Sequence, residues 1–157
     1  MKLDSTRDTA MGRRLVVLWA LIALPFWVTV ATGGPDGLLP HAVFHPVYVI
    51  VFVIGAILVL RRLRSATRSR VARGVSLALI VVQAAVIVGS VGEEIAVLQH
   101  GGLSAGREVF EEPLHTLSAR LTLPGVLLSQ ILLIVLTIAA VLAMRTAQRL
   151  AASPRGV

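Results

Sequence analysis

Residues 74–92 read GVSLALIVVQAAVIVGSVG, a run that contains no Asp, Glu, Lys or Arg. Three other runs of this kind are found at Leu15–Thr32, Ala42–Leu60 and Leu123–Met144. The hydrocarbon core of a bilayer is about 30 Å thick, and roughly 20 apolar residues in an α-helix cross it. Within lipid only helices and closed barrels satisfy the backbone, and such continuous runs lack the alternation of barrel strands. The sequence therefore predicts an all-α membrane protein with a four-helix transmembrane bundle.

The composition excludes several classes of protein. Hydrophobic residues make up 56% of the chain and charged residues 15%, whereas a soluble domain carries about 25% charged residues. The chain has no cysteine, which excludes a disulfide framework, a thiol redox enzyme and a site in which cysteine binds zinc or an iron–sulfur cluster. Its serines show no spacing typical of a nucleophilic triad. The composition thus favours a membrane protein without nucleophilic catalysis.

The chain of 157 residues is predicted to form one domain. A cleaved signal peptide is the alternative for the first run, because Thr29 and Ala31 match the small residues of a cleavage site. That run is longer than the apolar region of a signal peptide, and cleavage would leave an odd number of spans. We therefore predict a transmembrane domain over residues 15–144, with spans at about 15–32, 42–60, 74–98 and 123–144, between tails at 1–14 and 145–157.

The basic residues predict the orientation. All but two of the 15 lie before the first run, between the second and third, or after the fourth; the exceptions are Arg107 and Arg120. The positive-inside rule then places both termini and the central loop in the cytoplasm. We expect a multi-pass protein of the plasma (inner) membrane of a bacterium. The arginine-rich segment Arg61–Arg73 is expected to contact anionic lipids of the inner leaflet, which accounts for the basic excess without nucleic acid.

Polar residues are rare inside the spans. Gln83 lies in the middle of the third run and Gln130 lies in the fourth, and antiparallel neighbours would allow a hydrogen bond between them. Ala85 and Gly89 are one turn apart, which favours close contact between helices. No run carries an ionisable residue at mid-depth, so the sequence disfavours an ion-coupled pump, a proton relay or a voltage sensor.

The long connection between the third and fourth runs has its own pattern. The third helix is predicted to continue to His100 and to end at Gly101 and Gly102. Phe110, Leu114, Leu117 and Leu121 then recur at helical spacing, and Pro113 suits the first turn of a helix. This pattern predicts a short amphipathic helix in the outer loop, lying on the outer interface before the fourth span. Pro46 likewise predicts that the regular part of the second helix begins there.

Histidines and glutamates collect at the outer end of the predicted bundle. Imidazole binds transition metals and haem iron, and carboxylates complete harder metal sites. Glu112 and His115 also have the Glu-x-x-His spacing of di-iron bundles, although Pro113 lies between them. A haem would use His45 and His115 as axial ligands. The plain alternative is a solvated rim with no cofactor, because charged residues are excluded from the membrane interior. The candidate metal ligands are His45, His100, His115, Glu93, Glu111 and Glu112.

Three functions remain open at this level. The leading hypothesis is a non-catalytic accessory or binding subunit that docks to another membrane protein or to a second copy of itself. The alternative is a haem- or metal-binding redox protein that uses the outer histidines. The third is a small-molecule or lipid transporter with a cleft near Pro25 and Pro46, where prolines interrupt regular helix packing.

Overall fold

The computed structural model describes residues 13–24, 27, 38–64 and 70–152. Regular structure in these ranges is entirely helical, and they contain no β-strand. Two 3-10 turns, Gly102–Ser104 and Arg107–Glu111, connect the last two helices. The helices are α1 (residues 13–24), α2 (Leu38–Arg64), α3 (Arg70–Gln99) and α4 (Pro113–Ala152).

Three of the helices are long and apolar enough to cross a membrane. The apolar segments are Val43–Arg61 in α2, Arg70–Gln99 in α3 and Pro113–Leu142 in α4. Large aliphatic side chains such as Ile50, Val81 and Ile131 are exposed on their outer faces, as lipid-facing residues are. For these three runs, the prediction of helices long and apolar enough to span a membrane is confirmed. The described residues cover only part of the predicted first span at about 15–32, and Pro25 lies outside them.

The core joins all four helices. Leu18 and Ile22 of α1 pack in the same buried cluster as Phe52 of α2, Leu79 of α3 and Leu133 of α4. The helix α3 lies between α2 and α4 and contacts both. The charged and polar side chains discussed below therefore depend mainly on how α3 meets its two neighbours.

Glycines allow α3 and α4 to approach closely. A Cβ at Gly89 would collide with the hydroxyl of Thr122, and a Cβ at Gly92 would collide with that of Ser118. Gly125 of α4 lies against Val86 in the same way. These contacts run in opposite directions along the two helices and fix an antiparallel register. The predicted role of Gly89 in close helix contact is confirmed.

The helix α4 differs from its prediction. Pro113 does begin a helix, but this helix continues without a break through Pro124 to Ala152. A separate amphipathic helix on the outer interface is therefore wrong. Pro124 removes only one backbone hydrogen bond, and the turns on both sides of it pack against α3 through Ser118 and Gly125. This packing keeps the helix continuous.

Of two further predicted helix boundaries, one is confirmed and the other is wrong. The helix α3 ends at Gln99, and Gly101 and Gly102 follow with φ angles of 100° and 61°, so the predicted glycine stop is confirmed. The helix α2 begins already at Leu38 and contains Pro46 in its interior, so the predicted start at Pro46 is wrong. Proline disfavours helical geometry in the preceding residue without excluding it.

The predicted hydrogen bond between Gln83 and Gln130 is not formed. Within the described part of the chain, the amide oxygen and nitrogen of Gln83 have no hydrogen-bond partner, and the amide nitrogen of Gln130 has none either. The Gln83 amide instead lies beside Gly55 of α2, where the missing side chain leaves room for it. Gln83 thus faces α2.

Candidate functional site

Three helices bring one ionisable side chain each to the same point. The Nε2 atom of His45 on α2 lies 3.4 Å from Oε2 of Glu93 on α3. The Nε2 atom of His115 on α4 lies 3.6 Å from the same carboxylate oxygen. His45 and His115 lie near the start of the apolar segments of their helices, and Glu93 lies in the last turns of α3. We call these three residues the His–Glu–His cluster and their end of the bundle the histidine end.

The cluster is buried. The exposed fractions are 5% for His45, 3% for Glu93 and 5% for His115. A buried carboxylate is costly unless positive charge or hydrogen-bond donors compensate it. Both imidazoles of the cluster are placed to supply such compensation, since neutral imidazole donates one hydrogen bond and protonated imidazole donates two. The cluster is therefore a polar interaction built into an apolar bundle.

Local structure sets the position of His115. Its backbone N–H donates to Oε2 of Glu112 at 3.0 Å, so Glu112 caps the first turn of α4. The ring of Phe110 meets the imidazole edge to face, with centroids 5.2 Å apart. Phe110 also packs on a small apolar cluster that includes Val97 and Val109. The connection between α3 and α4 thus folds onto the histidine end and holds His115 toward Glu93.

The two distances describe a cluster without short hydrogen bonds to this oxygen. N–H···O hydrogen bonds usually measure 2.7–3.2 Å, whereas the imidazole nitrogens lie 3.4 and 3.6 Å from Oε2 of Glu93. Attraction between a carboxylate and an imidazolium remains strong at this distance, because the surroundings have a low dielectric constant. A small movement of either helix would change these contacts.

A cleft of about 320 Å³ opens beside the cluster, between α2 and α3. His45, Ser90 and Glu94 line it, but the surface that it exposes is almost entirely apolar. Its remaining walls are apolar and consist of Pro46, Val49, Ile50, Val91 and Ile95. The cleft therefore presents aliphatic walls along the two helices, with the imidazole nitrogens of His45 buried just behind them.

The structure brings together half of the predicted ligands. His45, Glu93 and His115 meet, whereas His100 is exposed and its Nδ1 lies 2.9 Å from the carbonyl of Ala96 in its own helix. Glu111 is exposed, and Glu112 caps α4. Across the described ranges, no group of three or more His, Asp or Glu side chains is arranged to hold a metal ion.

The haem hypothesis meets a specific obstacle. The carboxylate of Glu93 lies close to both imidazole Nε2 atoms, which are the atoms that His45 and His115 would present to an iron. Axial ligation would require this carboxylate to move away.

Sequence reasoning did not select Glu94, Ser90 or Ser118 for the site. Glu94 and Ser90 line the cleft, and Ser118 is buried against α3 close to Glu93. The signal was helical spacing: Ser90 and Glu93 are three residues apart, as are His115 and Ser118, so each pair shares one face of its helix.

The chain has no match among protein-family models, curated proteins or solved structures.

Proposed function

We propose that this chain is a binding protein of the bacterial plasma membrane that holds an amphiphilic small molecule near the outer surface. In this proposal the chain has four spans and both termini lie in the cytoplasm. The three apolar helices and the distribution of arginines support this arrangement. Burial of Leu15, Leu18 and Ile22 against the other helices supports α1 as the fourth span.

The observation that carries the proposal is the cleft beside the His–Glu–His cluster. Ligand sites are mostly apolar concave surfaces of about 300–1,000 Å³ with a few polar groups that orient the ligand. This cleft has that size and an almost entirely apolar surface, and the polar side chains of His45, Ser90 and Glu94 lie at its edge. Carboxylates accept hydrogen bonds, and imidazole and hydroxyl groups both accept and donate. The apolar walls suit an aliphatic or aromatic body, and a small rotation of His45 or Ser90 would bring a polar atom to a hydroxyl or amine head.

The cleft also gives a ligand a route from the membrane to the His–Glu–His cluster. Ile50 is 60% exposed, so the aliphatic wall continues directly onto the lipid-facing surface of α2. An amphiphile dissolved in the membrane would enter sideways, keep its body against Val49 and Ile50, and bring its head to His45. The carboxylate of Glu93 would then orient His45 from behind.

Analysis of co-purified molecules tests this proposal. The chain is purified in a mild detergent, exchanged into nanodiscs of defined lipid, and extracted for mass spectrometry of small amphiphiles. Ile50→Trp fills the cleft mouth, and Ile131→Trp makes the same change on the surface of α4, where Ile131 is 57% exposed. We expect an enriched amphiphile in the unmodified chain and in Ile131→Trp, and its loss in Ile50→Trp.

Two results would contradict the proposal. One is the absence of any enriched amphiphile, and the other is equal enrichment in both tryptophan variants. Elemental analysis of the same samples covers the metal hypothesis. If a transition metal is present in near-stoichiometric amount and is lost in His45→Ala, the ligand of this site is a metal ion and not an amphiphile.

A further inference from the structure

Buried polar residues continue inward from the His–Glu–His cluster along α3. Ser90, Gln83 and Ser76 follow at intervals of seven residues and are completely buried. Residues seven apart lie on the same face of a helix, two turns from each other. The core-facing stripe of α3 therefore carries a polar side chain every second turn, starting beside Glu93.

The facing stripe of α4 is polar over the same length. The contacts of Gly89 with Thr122 and of Gly125 with Val86 define the antiparallel register. Ser129 lies one turn beyond Gly125, which places it level with Gln83. Ser129 and its neighbour Gln130 are also buried. Together these side chains form a polar seam in the bundle interior, from the histidine end to the level of Gln83. The seam also borders α2, since Ser90 lines the cleft between α2 and α3 and the Gln83 amide lies beside Gly55.

These inner polar groups have no protein partner among the described residues. The unpaired atoms are the Ser90 hydroxyl, both amide atoms of Gln83, the Ser129 hydroxyl and the Gln130 amide nitrogen. Ser76 differs, since its hydroxyl donates to the carbonyl of Ala72 at 2.8 Å. Buried polar groups in proteins bond to protein or to ordered water, and the surrounding lipid supplies no hydrogen bonds. The chemistry of these groups therefore points to a small hydrogen-bonding ligand.

The seam is closed beyond Gln83. On the side of Gln83 away from the histidine end, Val59 of α2, Leu79 of α3, and Leu133 and Leu136 of α4 are completely buried. In the described parts of α2, α3 and α4, no unpaired buried polar side chain lies between these residues and Ser76, whose hydroxyl is bonded within its own helix. The polar seam therefore ends in an apolar layer.

We propose that this polar seam, enclosed by α2, α3 and α4, is a hydrated well. It binds water and other small neutral molecules that both donate and accept hydrogen bonds, it is entered from the histidine end, and it ends at Leu79. Ser90 connects the well to the cleft, since it lines both. The well is independent of which molecule occupies the cleft and of which side of the membrane the histidine end faces.

Silver-ion access tests the well, because the chain has no cysteine of its own. Ser90→Cys, Ser129→Cys and Ser76→Cys place a thiol at three depths, each by the same change at a buried position. Ag⁺ reaches thiols through water but not through an apolar layer. After exposure to Ag⁺ the protein is denatured and its remaining free thiols are labelled with a maleimide. Leu103→Cys, in the exposed connection at the histidine end, reports which side of the membrane that end faces.

The outcomes separate clearly. Ag⁺ is added on the side of the membrane from which it reaches Leu103→Cys. The well is supported if Ser90→Cys and Ser129→Cys then lose maleimide labelling while Ser76→Cys keeps it. Equal labelling of all three deep variants overturns it, because the seam is then dry or open throughout. Loss in Ser90→Cys alone also overturns it, since the well then ends above Gln83.

A second measurement uses the unmodified chain and does not depend on how the variants fold. Hydroxyl radicals generated by X-rays oxidise side chains next to bound water. Val86 and Val59 are the same residue type and both are completely buried, but Val86 lies between Ser90 and Gln83 whereas Val59 lies in the apolar layer. We expect faster oxidation of Val86, and equal rates for both valines would overturn the proposal.

Discussion

Gly92 of α3 and Ser118 of α4 lie so close that a side chain at position 92 would occupy the space of the Ser118 hydroxyl. Gly92 immediately precedes Glu93, and Ser118 lies one turn from His115. This contact therefore sets the separation of the two helices at the level of the His–Glu–His cluster. The distance of 3.6 Å between Glu93 and His115 depends on it.

Gly92→Ala is expected to destabilise the bundle by roughly 1–3 kcal/mol, because the added methyl group overpacks a tight helix contact. Thermal unfolding in detergent measures the effect. Gly74→Ala is the matched control, since nothing lies within 4 Å of a Cβ there. In that position alanine should be neutral or slightly stabilising, because glycine is a poor helix former. Equal melting temperatures for the two variants would show that the glycine contact is unimportant.

His45→Ala is expected to destabilise the protein by about 1–3 kcal/mol. It leaves the buried Glu93 with His115 as the remaining imidazole of the cluster, and removal of one member of a buried charged pair is costly. His100→Ala provides the comparison, since His100 is exposed and exposed substitutions usually change stability by less than about 0.5 kcal/mol. Chemical or thermal unfolding of both variants measures the two changes in stability. An effect of His45→Ala no larger than that of His100→Ala would remove the cluster from the stabilising interactions.

The apolar helices were predictable because the absence of charge over a whole span is a local property of the sequence. The convergence of His45, Glu93 and His115 was harder to predict, because it depends on the register between three helices. The glycines that set this register are visible in the sequence, but their partners are not. His100 and Glu111 were chosen by the same argument from composition as the cluster members, but both are exposed: His100 directly follows the end of α3, and Glu111 lies in the second 3-10 turn.

The sequence analysis did not identify the inner face of α4, and the reason is physical. Its apolar residues Leu117 and Leu121 are exposed, whereas Ser118 and Thr122 are buried. In water an apolar face packs inward, but lipid is as apolar as leucine and gives no such preference. Small polar residues then pack against the neighbouring helix. The periodicity of leucines thus located the helix correctly and gave no information about its inner face.

Glu112→Ala is expected to cost about 0.5–2 kcal/mol, the usual effect of removing a side chain that caps a helix. Its carboxylate accepts a hydrogen bond from the backbone N–H of His115, so the first turn of α4 should also loosen. Glu111→Ala is the control, because Glu111 is the exposed neighbour with the same side chain. Hydrogen exchange at the start of α4 would report the loosening directly. Identical exchange in both variants would contradict a capping role for Glu112.

The proposed orientation predicts opposite labelling for two exposed positions at the ends of α3. Leu103→Cys lies just beyond the histidine end, and Val71→Cys lies in the first turn of α3 beside the arginine-rich segment. If the positive-inside rule applies, a membrane-impermeant thiol reagent added to intact cells should label Leu103→Cys and leave Val71→Cys unlabelled. Permeabilised cells should show labelling of both, which confirms that each thiol is accessible. The reverse pattern would place the His–Glu–His cluster on the cytoplasmic side. An amphiphile would then reach the cleft from the inner leaflet, and the cleft would have to be assigned to a ligand of that leaflet.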